Sequence, residues 1–449
     1  MIQTPAARSS VLPRPSRILL GATLLMFVGA FLFSTREIVH EIPLEVIQQH
    51  VIKQSGGVYR IPDGPPPTVN LVVAATSTED TSWLTDLRVP GMETIIYIAD
   101  NKSAPHHAQE NKGHEAMMYH QYFYDYYDKL ADVSILIHSQ KMSWHVEQLL
   151  DQSMLFSLNH MDMREIQRRQ FLNLRVTWGT GCSSGQINTT KVNEESGNIP
   201  EQKEMQEAFR ANFNIYDIPE ILATPCCSQI AVVKELVRSR PREQYKHHIQ
   251  WLLDTKLDDS ISGRTWEHMW QYLFLKKAVD CPIEHRAYCR LYHICFGGRE
   301  QYDEWIELQQ GAQRLRDEIH KLDQKKRALD EKSRRDEDEE KRRQEEHKDP
   351  ELDENEQRQE AARKKQEKAR ADLQAKADEK KRQWLEEELS TVDEAIRVRK
   401  EVAMVRGSVE ANRIAEGEDI YGDALEPGLE FTSSSSATPT PTPDRSREA

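Results

Sequence analysis

One uncharged apolar run, Ile18-Leu-Leu-Gly-Ala-Thr-Leu-Leu-Met-Phe-Val-Gly-Ala-Phe-Leu-Phe-Ser34, constrains this chain more than any other feature. As a helix it spans about 25 Å, enough for a thin early-secretory bilayer. Arg8, Arg14 and Arg17 precede it without an acidic neighbour, whereas Arg36, Glu37, Glu41 and Glu45 follow. The positive-inside rule then assigns residues 1–17 to the cytosol and everything after the run to the other side. Phe31-Leu-Phe33 stands where a signal peptidase needs small side chains, so the run predicts an uncleaved anchor at residues 18–34 rather than a cleaved leader. A buried core helix fits less well, because the run lies far from the globular part. The expectation is a single-pass type II membrane protein of the endoplasmic reticulum, Golgi or cell surface.

Charge is unevenly distributed over the rest. Residues 35–67 read as stem and linker, ending in Gly56-Gly57 and Pro62-Asp-Gly-Pro-Pro-Pro67. Residues 68–300 have the composition of an α/β globular domain, and residues 301–405 are dominated by Glu, Lys, Arg, Asp and Gln. Residues 406–449, with the run Ser433-Ser-Ser-Ser-Ala-Thr-Pro-Thr-Pro-Thr-Pro443, lack the apolar content for a core and read as a disordered tail. The formal net charge of −14 disfavours nucleic-acid binding, which needs a basic face. All six cysteines fall between Cys182 and Cys295. An even number confined to one domain fits disulfides in an oxidising lumen, without fixing which cysteines pair.

Within the domain, Val69-Asn-Leu-Val-Val-Ala-Ala75, Thr94-Ile-Ile-Tyr-Ile-Ala99 and Val133-Ser-Ile-Leu-Ile137 read as buried strands, with a shorter strand-like piece at Ile230–Val233. A short helix is expected over 79–87 and an amphipathic helix over 113–130. In the latter, Tyr119, Tyr122, Phe123, Tyr126 and Leu130 share one face and are expected in the core. Strands alternating with helices imply a partly parallel sheet with flanking helices, whose ligands sit at the carboxyl ends of the strands. Farther on, Leu308, Ala312, Leu315, Ile319, Leu322 and Leu329 hold a 4-3 spacing, as do Leu385, Leu389, Val392 and Ile396. A free charged helix and a coiled coil that forms homo-oligomers both fit these runs, and Lys348-Asp-Pro350 is expected to interrupt them.

No Walker loop, GxSxG, HExxH or CxxC is present. What remains is a set of polar residues at the expected strand ends. Glu79 and Asp80 follow the first strand, Asp100 the second, and His138 ends the third, followed by Lys141, Trp144 and His145. Asn111, Gly113 and Glu115 open the long helix, whose N-terminal amides suit an anion. Each residue has an ordinary structural use, but together they mark one sheet edge as a ligand site. Asn101-Lys-Ser103 and Asn188-Thr-Thr190 are glycosylation sequons, with Asn188 preferred because a glycan on Asn101 would crowd the site.

Asn111-Lys-Gly-His-Glu115, Ile137-His-Ser-Gln-Lys-Met-Ser-Trp-His145, Phe171-Leu-Asn-Leu-Arg-Val-Thr-Trp-Gly-Thr-Gly-Cys182, Cys226-Cys227 and Ser262-Gly-Arg-Thr-Trp-Glu-His-Met-Trp270 resemble, in this order, a fungal and commonly membrane-anchored domain family of unknown function. The resemblance covers about residues 68–300. The early blocks are distantly similar to nucleotide-sugar glycosyltransferases of the GT-A type. They depart from that pattern at His114, where a basic Arg is usual, and in lacking an Asp-x-Asp pair after the third strand. That pair normally holds a divalent metal, so no metal site is expected. The resemblance implies Glu267 as a base near an acceptor; the strand-end and helix-start positions put His138 and His145 beside it as catalytic candidates and Glu115, Asn111, Asp100 and Asp80 as ligand-binding ones. Two functions fit: a glycosyltransferase-like enzyme using a nucleotide sugar, or a non-catalytic lumenal binding or assembly protein on the same fold. The sequence names no cofactor.

Overall fold

In the computed structural model, the described residues are 65–182, 185–192, 199–346, 354–417 and 419–421. The expected anchor at 18–34, its cytosolic flank, the stem to residue 64, the Lys348–Pro350 break and the Ser/Thr/Pro run all lie outside them. No helix among the described residues is long and apolar enough to cross a membrane. The described residues fall into two compact units. One runs to residue 309 and resumes at 398, and the other holds 310–397.

The first unit is mixed α/β. Its strands are β1 (Val69–Ala75), β2 (Met92–Ile98), β3 (Val133–His138), β4 (Phe171–Asn173), β5 (Ile187–Asn188), β6 (Ile221–Leu222) and β7 (Ile230–Val233). The main sheet has the order β2-β1-β3-β7-β4, with β5 and β6 forming a separate two-stranded ribbon. β1 pairs parallel with both β2 and β3, whereas β7 runs antiparallel to β3 and β4. Continuous apolar runs mark β1, β3 and β7 because both faces of this sheet are covered.

The helices that position the site are α1 (His114–Asp125), α2 (Arg242–Asp254) and α3 (Asp259–Glu267). Gly113 caps α1 in the left-handed region at φ 73°, a conformation other side chains rarely adopt, and packs against the Leu252 side chain of α2. The aromatic face behaves as expected. Tyr119, Tyr122 and Phe123 are wholly buried, and the Tyr122 hydroxyl bridges Asn70 and Ser134 across the sheet. The helix is shorter than its pattern, ending at Asp125 instead of residue 130. Arg242 donates to the Tyr124 carbonyl and Arg238 to those of Tyr127 and Asp128, which satisfies the backbone oxygens without a further turn. The helix expected over 79–87 is a single 3₁₀ turn, Ser82–Asp86.

All six cysteines are paired, as Cys182–Cys281, Cys226–Cys227 and Cys289–Cys295. The last pair joins α4 (Glu284–Tyr292) to the loop that follows it. α5 (Arg299–Glu346) and α6 (Glu354–Gly407) are the long charged helices. In the second unit their two apolar runs face each other within one chain. Arg316 pairs with Asp393 at 2.6 Å, Lys325 with Asp378 at 2.5 Å and Arg382 with Asp323 at 3.4 Å, a descending series that sets them antiparallel.

The domain boundaries at 300/301 and 405/406 shift. Residues 398–421 belong with the α/β unit, and the expected tail begins with α7 (Glu410–Gly417). Ala403 accepts a hydrogen bond from the Cys295 amide, Ile420 from the Ile283 amide, and the Tyr421 hydroxyl donates to Asp280 at 2.6 Å. Ala403 and Ile420 are buried apolar residues, which is why this segment packs rather than trailing into solvent.

Candidate functional site

Parallel pairing brings the carboxyl ends of three strands to one level. Ala74 stands opposite His138, and Ala75 opposite Ile98. The first turn of α1 supplies Glu115 to this edge, the last residue of α3 supplies Glu267, and the turn before β7 supplies Cys226 to Gln229.

Four of the expected residues come together there. Glu115 Oε2 lies 3.7 Å from His138 Nε2, an ion-pair distance too long for a good hydrogen bond. His138 Nδ1 lies 3.2 Å from His145 Nδ1, and the two rings meet edge to face at 4.7 Å. The Ser143 hydroxyl lies 3.0 Å from the same His145 nitrogen. Glu267 Oε2 accepts a 3.1 Å hydrogen bond from the Cys227 amide; its charge acts on His138, and the charge of Glu115 acts on it. The side chains of His138 and Glu115 are only 20% and 11% exposed. The interactions are therefore strong for lack of solvent screening.

Burial and charge divide the protons unevenly. Burial pushes the Glu115 carboxyl up, but the close approach and positive charge of His138 outweigh it and hold the carboxyl below its ordinary value. Burial pulls His138 down, yet Glu115 and Glu267 more than reverse this and raise it. Burial and the Glu115 charge raise Glu267, against the opposing charges of His268 and His138 and the Cys227 amide. Burial and the His138 charge lower His145 to about 4. The surroundings thus favour the ionised form of Glu115, the cationic form of His138, the neutral form of His145 and the protonated form of Glu267.

The other expected residues serve elsewhere. Asp100 accepts from the Ser77 amide and hydroxyl at 2.7 and 2.8 Å. Asp80 accepts from the Ser82 amide, which starts the 3₁₀ turn. Asn111 is exposed. The α1 N-terminus does not stand open for an anion: Asp259 accepts from the His114 amide at 3.2 Å and pairs with the His114 ring. Lys141 pairs with Asp86 at 3.6 Å, on an open cleft that Asp80 also lines. Trp144 is 63% exposed, with its ring 4.1 Å from that of His145. Of the sequons, Asn101 is the exposed one. Asn188 is half-buried in β5 with its amide nitrogen 3.5 Å from Glu220.

Residue patterns alone did not reveal Tyr119, Cys227 or Ser228 as parts of the site. The Tyr119 hydroxyl is buried without a hydrogen-bond partner, and the charges of Glu115 and Glu267 reach it. Ser228 lies against Glu115 and accepts from the Trp270 indole at 3.0 Å. Adjacent cysteines were the one signal for this turn. Among the described residues, the group spaced for a metal is Cys289, Cys295 and Glu416, away from this edge, and its two sulfurs are joined in a disulfide.

No curated protein and no solved structure matches the chain. Residues 71–290 match the family model described as "Protein of unknown function (DUF3431)", so the α/β part of this chain is similar to an uncharacterised domain family.

Proposed function

We propose that the α/β domain is a glycosyltransferase-like enzyme of the secretory pathway, held in its membrane by residues 18–34, with Glu267 as the base. The observation that carries this reading is a pair of half-buried carboxylates, Glu115 and Glu267, whose proton affinities are driven apart around His138 at the carboxyl ends of parallel strands. Such a division suits acid–base work on a hydroxyl. The acceptor oxygen would attack the anomeric carbon while its proton passes to Glu267, and the bond from that carbon to the nucleoside diphosphate breaks. His138, kept cationic by Glu115, supplies positive charge near the leaving group where no Asp-x-Asp pair follows β3. The distant GT-A resemblance and the fungal, membrane-anchored family likeness of the sequence blocks support the same reading.

A non-catalytic binding role is the second reading. It is favoured by the local hydrogen bonds that occupy Asp80 and Asp100 and by the Asp259 plug at α1. Thermal unfolding of the full chain against a panel of nucleotide sugars separates the two. Stabilisation by one donor, lost in His138→Ala, supports the enzyme; no stabilisation by any donor supports the binding module.

A further inference from the structure

The turn Cys226–Gln229 touches both carboxylates of the proposed site. The Cys227 amide donates to Glu267, and Ser228 lies against Glu115. Cys227 has φ 90° and Ser228 φ 46°, consecutive left-handed conformations that side chains other than glycine adopt rarely. Backbone strain of this kind persists only where the surroundings enforce it.

Two features enforce it here. The Cys226–Cys227 disulfide closes a small ring over the peptide bond between the two residues. Behind it, the Cys226 amide donates to the Thr180 carbonyl, and Gly181 packs so closely that a Cβ would lie 2.0 Å from the Thr224 oxygen. Arg175 Nη1 completes the surroundings, 3.6 Å from the Cys227 sulfur. Cys226 and Cys227 are 7% and 3% exposed, so the ring is buried beside the two carboxylates' turn rather than free in solvent.

We propose that the Cys226–Cys227 disulfide is a positioning element of the site: it locks the turn that delivers one contact to Glu267 and one to Glu115. This rests on the acid–base reading above, although its test does not need turnover. A dithiol reverses the lock. Two electrons from the dithiol break the sulfur–sulfur bond, each cysteine gains a proton, and the dithiol closes to its own disulfide. The freed turn then relaxes toward ordinary backbone angles and withdraws the Cys227 amide.

Peptide mapping of the unreduced full chain should show the peptide holding both cysteines lighter by two hydrogens than after reduction. Separate peptides, or two free thiols, would overturn the proposal. Carboxyl-carbon NMR of glutamate-labelled protein then reads Glu267 directly, identified by the signal that Glu267→Gln removes. Glu115, His138, His268 and Tyr119 face this carboxyl and remain in place. Its titration midpoint should move to higher pH in Cys226→Ser/Cys227→Ser, because an amide that stabilises the ionised form is lost. It should stay put in Cys289→Ser/Cys295→Ser, which breaks a disulfide elsewhere. Equal midpoints in wild type and the Cys226/Cys227 variant, or equal shifts in both variants, would contradict the proposal. Should the Cys226/Cys227 variant not fold, the same comparison is made on wild type and on Cys289→Ser/Cys295→Ser before and after dithiol treatment; an unmoved midpoint in both would again contradict it. Failure of every nucleotide sugar to bind would sink the transferase reading while leaving this result standing.

Discussion

At the residue scale, the Glu115–His138 pair organises the site, and its removal should be measurable without any substrate. Glu115→Gln leaves a half-satisfied imidazolium in a poorly solvated position, and should lower stability by about 1–3 kcal/mol in denaturant unfolding. An unchanged midpoint would mean the two groups do not interact. The pH dependence has a worked sign. Glu115 is depressed, so its contribution is present above the ordinary carboxyl value of 4.5 and fades as pH falls. His138 is raised, so its contribution is full below the ordinary histidine value of 6.5 and is lost as pH rises through the folded value. His145, lowered to about 4, behaves oppositely: its neutral form is favoured, and stability falls as pH drops from 6.5 toward 4. His138→Ala should therefore flatten the alkaline side of a stability–pH curve, and His145→Gln the acid side. Superimposable curves for wild type and both variants would remove the electrostatic account.

At the element scale, close packing sets sharp limits. A Cβ on Gly407, in the last turn of α6, would fall 1.7 Å from the His293 oxygen, within the unit that holds both residues. Gly407→Ala should cost about 1–3 kcal/mol or more, read by thermal unfolding, because the backbone beside it has nowhere to move. Much at this scale was legible in the residues. The runs at 69–75, 133–137 and 230–233 identify strands because a sheet covered on both faces leaves them continuously apolar. β4, β5 and β6 escaped because strands of two or three residues carry no periodicity. The antiparallel turn of β7 escaped because an apolar run has no direction. The heptad runs told which faces of α5 and α6 seek a partner but not that each finds the other, since spacing records a seam and not its mate. Within the site, Glu115, His138 and His145 were visible as strand-end and helix-start residues, whereas Glu267 rested on resemblance. Tyr119 was hidden inside an aromatic stripe whose other members are core. Asp259 and Asp100 show the limit of such reading: whether a carboxylate is free or spent depends on neighbours far along the chain.

At the scale of the whole molecule, the C-terminal return defines where the α/β unit ends. Chains stopped after Tyr421 should keep the thermal midpoint of the full protein, and chains stopped after Arg397 should lose several degrees, because Ala403, α7 and Ile420 then no longer cover α4 and its flanking loops. Equal midpoints would show that the return is dispensable. The proposed anchor is tested by extraction: the full chain should stay with membranes in alkaline carbonate, and its release would remove residues 18–34 as a spanning helix. The central claim, however, is that Glu267 takes a proton in group transfer beside an ionised Glu115. The most direct measurement is release of nucleoside diphosphate from a panel of nucleotide sugars, with a saccharide acceptor, by the full chain and by Glu267→Gln. The account predicts release from at least one donor, reduced at least about a hundredfold in Glu267→Gln with donor binding retained. Release that proceeds unchanged without the Glu267 carboxyl, or none from any donor, would contradict it.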